Sequence, residues 1–333
     1  MSWFRRLFSQ PNTSEARSVP EVITPPPANS HSDAETEKLT KPLDEAAVAA
    51  AAEPAIDTVA DGVTRPLPQD TFIPVAGNEH AVFGQLTDVG KVRTNNQDAA
   101  FSFLATTRSA DEWPDFGLFV VADGMGGHQD GEKASAITTR SLASHILGTL
   151  YVPMVRGDED ANQIPVNEVL ETAVQKANSD VVANVPEGGT TVTAAVVIGD
   201  LAYIAHVGDS RIYLISKGAI EQVTRDHSLV QRLIELGQLT PEEATDHKQP
   251  NVLYRALGQN DTVDVDTLTR RLPPHARLLL CSDGLWNQVA DSEILDIVTK
   301  HPIPQEACNK LIALANMRGG IDNVTAILLK LPG

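Results

Sequence analysis

The 333-residue sequence has little cysteine and no long apolar run. Its two cysteines, Cys281 and Cys308, lie far apart and form no zinc-ligand pattern, so we expect a reduced, cytoplasmic protein. No stretch reaches the roughly 18 apolar residues that a membrane-spanning helix needs. The N-terminal segment MSWFRRLF has two arginines but no apolar core after them. It therefore does not predict a secretory signal, and weak docking to a membrane or a partner is the alternative to a plain tail.

Positive charge is also scarce. Lysine and arginine number 26 against 44 aspartates and glutamates, which gives a net charge of −18. A protein with this balance has no broad basic surface for the phosphate backbone, so we expect no binding to nucleic acid. The surplus of carboxylates would suit divalent cations, although such a surplus is more often a solvated surface.

Aromatic residues are nearly missing from residues 9–80. Between residues 9 and 80 the only one is Phe72, in a stretch rich in proline, alanine, serine, threonine and acidic residues. Such a stretch buries too little apolar surface to offset the entropy lost on ordering. We therefore predict that residues 1–80 form a disordered arm and that residues 81–333 form one folded domain.

The remaining sequence alternates strand-like and helix-like patterns. Strands are predicted at AVFGQLTD, DAAFSFL, FGLFVVAD, TTVTAAVVIG, LAYIAHVG, SRIYLIS, ARLLLCSD and NVTAILLK. Helices are predicted at EKASAITTRSLASHILGTL, VNEVLETAVQKANSDVVANV, SLVQRLIELG, DSEILDIVTK and PQEACNKLIALANM. Closely spaced strands joined by tight turns are antiparallel, so this order favours an α+β fold with helices on the outer faces of the sheets.

Several predicted strands end at or next to an aspartate. A single acid at a turn is usually structural, because aspartate bonds its own backbone. Asp123 and Asp283 differ, because each follows a strongly apolar run and would lie at the rim of the core, where clustered anions need a positive partner. Oxygen ligands without convergent Cys or His suit Mg²⁺ or Mn²⁺. The acids considered are Asp88, Asp98, Asp123, Asp209, Asp283 and Asp322.

The stretch VADGMGGHQDG after the third predicted strand can be explained in two ways. Its glycines indicate a tight turn, or a backbone that approaches a metal or phosphate closely. Arg93, five residues before Asp98, adds a guanidinium that can recognise phosphate through paired hydrogen bonds. A surface salt bridge is the simpler explanation for Arg93.

Eight motifs in order resemble one family. They are DVGKVRTNNQD, VVADGMGGHQDGEKAS, GGTTVTAAVV, AHVGDSRIYLI, TRDHSLVQRLIELGQLTPEEA, LYRALG, LLLCSDGLWNQV and IDNVTAILL. The series closely resembles the type 2C metal-dependent serine/threonine protein phosphatases in their bacterial form. It covers roughly residues 81 to 331, and although each motif alone is weak, eight in order are highly specific.

The resemblance implies a four-layer α-β-β-α sandwich and a pair of Mn²⁺ or Mg²⁺ ions at one edge. By motif, Asp123 would bridge the two ions and the carbonyl of Gly124 would contact one of them. Asp283 and Asp322 would complete the ligands of the other ion, and Asp98 would act mainly through water. Arg93 would bind the substrate phosphate. A hydroxide shared by the ions would attack phosphorus in line, without a covalent enzyme intermediate.

Three positions depart from patterns known in the family. Gln97 stands where many members have glutamate, and Met125 stands where eukaryotic members have a histidine that is thought to protonate the leaving group. His128 is three residues further on, and its equivalence is open. Some bacterial members bind a third metal, for which Glu187 is the candidate here, alongside Asp283.

Other residues receive structural interpretations. The segment SLVQRLIELGQLTPEEATDH resembles the family's flap beside the cleft, which could act as a mobile lid. Residues 209–211 are expected to stabilise a turn rather than touch substrate, Asp226 and His227 to cap the following helix, and Trp286 to pack. Cys281 is expected to be a core residue and not a nucleophile.

We therefore expect an enzyme that hydrolyses phosphoserine and phosphothreonine in proteins and opposes a bacterial serine/threonine kinase, acting as a monomer. The same chemistry on another phosphorylated partner is one alternative. A regulatory pseudophosphatase or phosphoprotein-binding module is the other, which the presence of all four aspartates (Asp98, Asp123, Asp283 and Asp322) disfavours.

Overall fold

The computed structural model describes residues 80–106, 114–127, 129–157, 165–240, 243 and 252–333. The predicted N-terminal arm lies outside the described residues, apart from its last residue, His80. Among the helices of the described ranges, none is both long and apolar enough to cross a bilayer.

Eleven strands are present in the described part of the chain. They are β1 (Val82–Asp88), β2 (Asp98–Ala105), β3 (Phe116–Met125), β4 (Gly189–Thr190), β5 (Val192–Ile198), β6 (Leu201–Val207), β7 (Arg211–Ser216), β8 (Ala219–Gln222), β9 (Asp266–Arg271), β10 (Arg277–Cys281) and β11 (Val324–Lys330). All eight strands predicted from the sequence are among them. The prediction missed β4, which is very short, and β8 and β9, which lack an apolar run.

The strands form two antiparallel sheets. The first has the order β1-β11-β10-β7-β8, and the second has the order β2-β3-β5-β6-β9, with β4 paired to β3. β3 and β5 are antiparallel neighbours although two long helices separate them in the chain. They are therefore not a hairpin.

The helices of the described ranges are α1 (Asp130–Ile146), which continues through a π-helical turn (Leu147–Tyr151) into α2 (Val152–Arg156), α3 (Val166–Asn184), α4 (Leu229–Glu235), α5 (Asp283–Trp286), α6 (Asp291–Lys300) and α7 (Pro304–Met317). The four longest, α1, α3, α6 and α7, cover the outer faces of the two sheets. The short α5 was not predicted. The sequence analysis places Asp283 at the end of a strand, but β10 ends at Cys281 and Asp283 begins a helical turn.

Side-chain alternation along β3 shows why the protein has four layers. Leu118 and Val120 point to the core that α1 and α3 complete, whereas Phe119 and Val121 point to the core between the sheets. A strand covered on both faces must be apolar throughout, as FGLFVV is. A third core joins the first sheet to α6 and α7. The predicted α+β sandwich with outer helices is confirmed.

Candidate metal centre

A polar cavity of about 300 Å³ lies where the ends of β3 and β10 meet the start of β11. It contains four carboxylates and one guanidinium. The lining residues are Arg93, Gln97, Asp123, Gly124, Met125, Gly126, Thr191, Asp209, Leu253, Gln259, Asp283 and Asp322. The structure therefore brings together five of the six residues predicted for the site, and it adds Asp209, which the sequence analysis assigned to a turn.

Asp98 lies behind this wall. In the β2–β3 ladder it is directly opposite Asp123, so the strand register sets the spacing of the two acids. One carboxylate oxygen of Asp98, Oδ2, accepts hydrogen bonds from Ser282 Oγ and Thr325 Oγ1, both at 2.7 Å. The other oxygen, Oδ1, is buried and has no hydrogen-bond donor among the described residues.

Asp283 follows the same pattern. Its Oδ2 accepts a hydrogen bond from Asn287 Nδ2 at 3.3 Å, and its buried Oδ1 has no donor in the described part of the chain. A buried carboxylate oxygen without a donor is costly unless a cation or an ordered water binds it. The two oxygens therefore fit a cation site.

The backbone around Asp123 is held by Thr190 and Thr191. The Asp123 N–H donates to Thr191 Oγ1, and its carbonyl accepts from the Thr191 N–H and from Thr190 Oγ1, each at 2.9 Å. These bonds give the GGTT motif a clear role. It pins the end of β3 at the cavity.

The next residue, Gly124, has to be glycine because of close backbone contacts. A Cβ atom there would overlap the Gly131 carbonyl and lie 2.7 Å from the Gln97 carbonyl oxygen. Two residues later, Gly126 has a φ of 130°, which side chains of L-residues rarely permit. The tight turn is therefore confirmed, and the approach of this backbone to a metal or phosphate stays a prediction.

Asp322 and Arg93 form an ion pair at the cavity rim. Arg93 Nη2 donates to Asp322 Oδ2 at 2.7 Å, and the arginine side chain is 49% exposed. The other carboxylate oxygen of Asp322, Oδ1, accepts a hydrogen bond from the N–H of Asn323 at 2.9 Å. The expected salt bridge exists, and it places the guanidinium beside the acids.

Asn323 is a site residue that the sequence analysis missed. Its Oδ1 accepts from the Gln97 N–H at 2.7 Å, and its Nδ2 donates to the carbonyls of Val89 and Asn95, each at 2.9 Å. One side chain thus ties the loop that carries Arg93 to the start of β11. The only sequence signal was its place in the IDNVT motif.

The carboxyl groups perturb one another. Burial is the main cause that raises the pKa of Asp98 to about 6 and the pKa of Asp209 to about 7. The charge of Asp322 adds to the effect at Asp98, and the charge of Asp226 adds to it at Asp209. Burial together with neighbouring aspartates raises the pKa values of Asp123 and Asp283 well above their usual range. Such a cluster is stable as a set of anions only when a positive charge compensates it.

The donor chemistry indicates a hard cation. In the described ranges no three acidic, histidine or cysteine side chains converge closely enough to enclose a metal by themselves. Water and backbone carbonyls would have to supply the remaining ligands, as is usual for Mg²⁺, which keeps several waters. Residues with carboxylate and carbonyl oxygens suit Mg²⁺ or Mn²⁺.

Three further predictions concern residues around the cavity. Gln97 and Met125 line it, and neither carries a charge. His128 lies outside the described residues. Glu187 is not among the lining residues, so its role toward a third ion stays a prediction.

The predicted capping role of Asp226 and His227 is wrong. Ser228 is the N-cap of α4, and it accepts a hydrogen bond from the N–H of Gln231 at 3.2 Å. Asp226 instead pairs with Arg211 at 2.7 Å, and His227 Nδ1 accepts the Gly208 N–H at 3.1 Å. Both residues therefore brace the turn that carries Asp209.

Most of the predicted flap beyond residue 240 lies outside the described residues.

A second cavity, of about 430 Å³, lies at the opposite ends of the same strands. Leu104, Gly117 and Leu329 contribute to its mainly apolar wall. Asp115 and Asp200 also line it, but it has no converging group of acids like that at the first cavity. The polar cavity is therefore the candidate site, although it is the smaller of the two.

Comparisons with known proteins agree with this geometry. A sequence profile of the family described as Protein phosphatase 2C matches residues 90–309. The "Serine/threonine phosphatase stp" of Listeria innocua is 37% identical over 251 residues, which span 75% of this chain and 95% of that protein.

Solved structures extend the agreement to the fold. The serine/threonine phosphatase PstP/Ppp of Mycobacterium tuberculosis is 35% identical with a TM-score of 0.64, covering 76% of this chain and 100% of that one. The catalytic domain of PstP in complex with two manganese ions is 34% identical with a TM-score of 0.61, covering 76% and 98%. The chain belongs to the protein phosphatase 2C family and is a serine/threonine phosphatase of the bacterial type.

Proposed function

We propose that the protein hydrolyses phosphoserine and phosphothreonine in proteins with the help of two Mn²⁺ or Mg²⁺ ions bound at the polar cavity. One observation carries this proposal. Buried carboxylate oxygens of Asp98 and Asp283 have no hydrogen-bond donor in the described residues, and they lie by a cavity that Arg93 also lines. The two manganese ions in the related PstP structure support the same assignment.

Five residues would hold the ions. Asp123 would contact both, with the carbonyl of Gly124 next to it, and Asp283 and Asp322 would complete the second set of ligands. Asp98, which is 8% exposed and lies behind the cavity wall, would act through water. When bound, such ions activate water as the nucleophile and neutralise charge on the phosphate.

Arg93 would bind the phosphate. Among the described residues its guanidinium bonds to Asp322 through Nη2, and the half-exposed side chain can direct further N–H groups toward the cavity. The ion pair with Asp322 orients the guanidinium before substrate arrives. Arginine suits this role, because its planar fork matches the geometry of phosphate oxygens.

The residues lining the cavity favour direct attack by water. Among the described lining residues there is no cysteine or histidine, and their one side-chain hydroxyl, that of Thr191, is bonded to the Asp123 N–H and contacts Ser210 Oγ at 2.9 Å. Cys281 is fully buried, and burial raises the pKa of its thiol well above the usual range. A thiol nucleophile is therefore disfavoured.

The catalytic domain would comprise residues 81–333, preceded by residues 1–80 as an arm. Ala81 is buried in the core between the sheets, and its N–H donates to Asp115 at 2.8 Å, which supports a boundary close to this residue. We expect the domain to act as a cytoplasmic monomer. The arm would serve weak docking to a membrane or a partner.

The substrate class can be tested with phosphoproteins made by a serine/threonine kinase of the same bacterium. With Mn²⁺ present, the full chain should release phosphate from phosphoserine and phosphothreonine, and much more slowly from phosphotyrosine. A variant with Asp123→Asn serves as the matched control. Release from phosphotyrosine at an equal rate, or an equally fast Asp123→Asn variant, would contradict the proposal. Binding of phosphoproteins without release would favour the pseudophosphatase.

A further inference from the structure

An arginine–tryptophan stack lies behind the polar cavity. Arg211 begins β7 and Trp286 ends α5, and the guanidinium carbon lies 3.5 Å from the centroid of the indole ring. The indole Nε1–H donates to the carbonyl oxygen of Asp209 at 3.0 Å. The ring therefore contacts the segment that carries Asp209, while its own helical turn carries Asp283.

Hydrogen bonds from its guanidinium nitrogens hold Arg211 in one orientation. Its Nε and Nη2 donate to the two oxygens of Asp226 at 3.0 and 2.7 Å, and its Nη1 donates to the Tyr213 hydroxyl at 3.0 Å. Gln222 Nε2 donates to Asp226 at 3.0 Å as well. A forked arginine–carboxylate pair of this kind fixes the plane of the guanidinium. The indole thus packs on a rigid surface.

The two segments meet because of the strand register. Arg211 is directly opposite Cys281 in the β7–β10 ladder. Cys281 lies two residues before Asp283 in the sequence. Asp209 and Asp283 both line the cavity, and their like charges repel each other. The ladder ends at Arg211 and Cys281, so Asp209 and Asp283 repel each other just beyond it. The stack and the indole hydrogen bond join the two segments at that point.

We propose that Arg211 and Trp286 are positioning residues, which hold Asp209 and Asp283 at the cavity so that the site binds Mn²⁺ tightly. Neither residue lines the cavity, so each acts through the two aspartates. The inference rests on the proposed function, since it concerns the same site. It also assigns to Trp286 a role beyond the packing that the sequence predicts.

Simple packing makes a different prediction. If Trp286 only fills space, its truncation lowers the thermal stability of the protein but leaves the affinity for Mn²⁺ unchanged. If it positions the aspartates, the affinity falls by more than the loss of packing at a distant site would cause. Residues that support metal ligands typically change affinity by about 10- to 100-fold when they are removed.

The test is a calorimetric titration of the metal-stripped full chain with Mn²⁺, which gives the affinity. The melting temperature of each metal-free variant is measured in parallel. Trp286→Leu should weaken Mn²⁺ binding by about 10- to 100-fold. Trp286→Phe keeps a ring over Arg211 and loses only the hydrogen bond, so it should weaken binding by about 2- to 10-fold. Arg211→Lys keeps the charge but loses the planar fork, and its effect should resemble that of Trp286→Leu.

The matched control is Phe83→Leu. Phe83 lies near the start of β1, far from the cavity, and is opposite Leu329 in the ladder with β11. Its ring packs edge-on against that of Phe119, with 5.6 Å between the ring centroids. This variant should lose stability and keep the affinity of the wild type. Equal affinity in Trp286→Leu and the wild type would overturn the inference, and if that variant fails to fold, equal affinity in both Trp286→Phe and Arg211→Lys would do so. Failure of the wild type to bind Mn²⁺ would instead refute the proposed function.

Discussion

Asp98 and Asp123 face each other across the β2–β3 ladder. The Asp98 carboxylate accepts hydrogen bonds from two hydroxyls, and the backbone of Asp123 is held by two threonines. This pairing places two acids side by side through strand register alone. Burial is the main cause that raises both pKa values, and the charge of Asp322 adds to it at Asp98 as the charge of Asp98 does at Asp123, so the arrangement opposes stability unless a cation is bound.

Replacing one of the acids should separate activity from stability. We expect Asp283→Asn to reduce phosphate release by more than about 100-fold, since the loss of a ligand should cost more than the loss of a supporting residue. The melting temperature of the metal-free variant should equal or exceed that of the wild type, because one repelling charge is gone. Thermal unfolding in EDTA measures this, and a large drop would show that Asp283 is needed for folding.

Removal of the guanidinium should affect substrate binding. Arg93→Ala should raise KM for a phosphopeptide by about 10- to 100-fold, the range expected for a hydrogen bond to a charged group. Arg93→Lys should recover part of that loss, because it keeps the charge without the fork. Steady-state kinetics on both variants give the comparison. Unchanged constants in Arg93→Ala would remove Arg93 from the site.

The stability of the metal-free protein should fall as pH rises from about 4 to 7. The folded-state pKa values of Asp98 and Asp209 are raised to about 6 and about 7, against about 3.9 for an unfolded aspartate. The folded state therefore binds more protons in this window, and stability that is present below pH 4 is lost as these groups ionise. Melting temperatures in EDTA across this range check the sign.

Metal should reverse that trend. Because protons compete with cations for the same oxygens, the stabilisation by Mn²⁺ should grow as pH rises. The measurement is the difference in melting temperature with Mn²⁺ and with EDTA at each pH. A difference that is constant across pH would contradict the placement of the ions at these acids.

Gly124→Ala should destabilise the protein strongly. The added methyl would overlap the Gly131 carbonyl, and backbone atoms cannot move away cheaply. Gly148→Ala is a matched control, since a Cβ there meets nothing within 4 Å. Chemical denaturation of both variants should show a large loss for the first and at most a small change for the second. Equal stability would mean that the contact at Gly124 is not required.

Deletion of residues 1–80 should leave turnover on a small phosphate ester within about twofold of the full chain's, because every acid of the site lies after the boundary. His80 contacts Asp115 at 2.9 Å, so a second deletion that retains His80 controls for that bond. Collapse of folding in both truncated chains would refute the boundary.

Much of the fold could be predicted from the sequence because the strands are apolar and short. FGLFVV and LLLC are buried on both faces, and periodicity identifies such runs directly. β9 could not be predicted, because it has the pattern DTLTRR and gains its place by pairing with β6. Its alternation of half-buried and exposed residues is typical of a sheet edge.

The site was predictable to the extent that motifs name its acids. Asp123 and Asp283 stand out because an acid after an apolar run is unusual, and the resemblance adds Arg93 and Asp322. Asn323 could not be found in this way, because its role lies in three hydrogen bonds to a loop more than 220 residues earlier in the chain. Contacts across such distances depend on the tertiary fold.

Asp209 and Trp286 illustrate the same limit. A GD turn and a lone tryptophan have common structural explanations, and the sequence analysis assigned them accordingly. Only the pairing of β7 with β10 brings Trp286 into contact with the segment that carries Asp209, behind the cavity.

Hydrolysis should depend on cations held by the clustered aspartates. The most direct measurement is the release of phosphate from a phosphothreonine peptide by metal-stripped protein during a titration with Mn²⁺. We expect no release in excess EDTA, recovery with Mn²⁺ or Mg²⁺, and no recovery in the Asp283→Asn variant. An undiminished rate in excess EDTA would contradict this dependence.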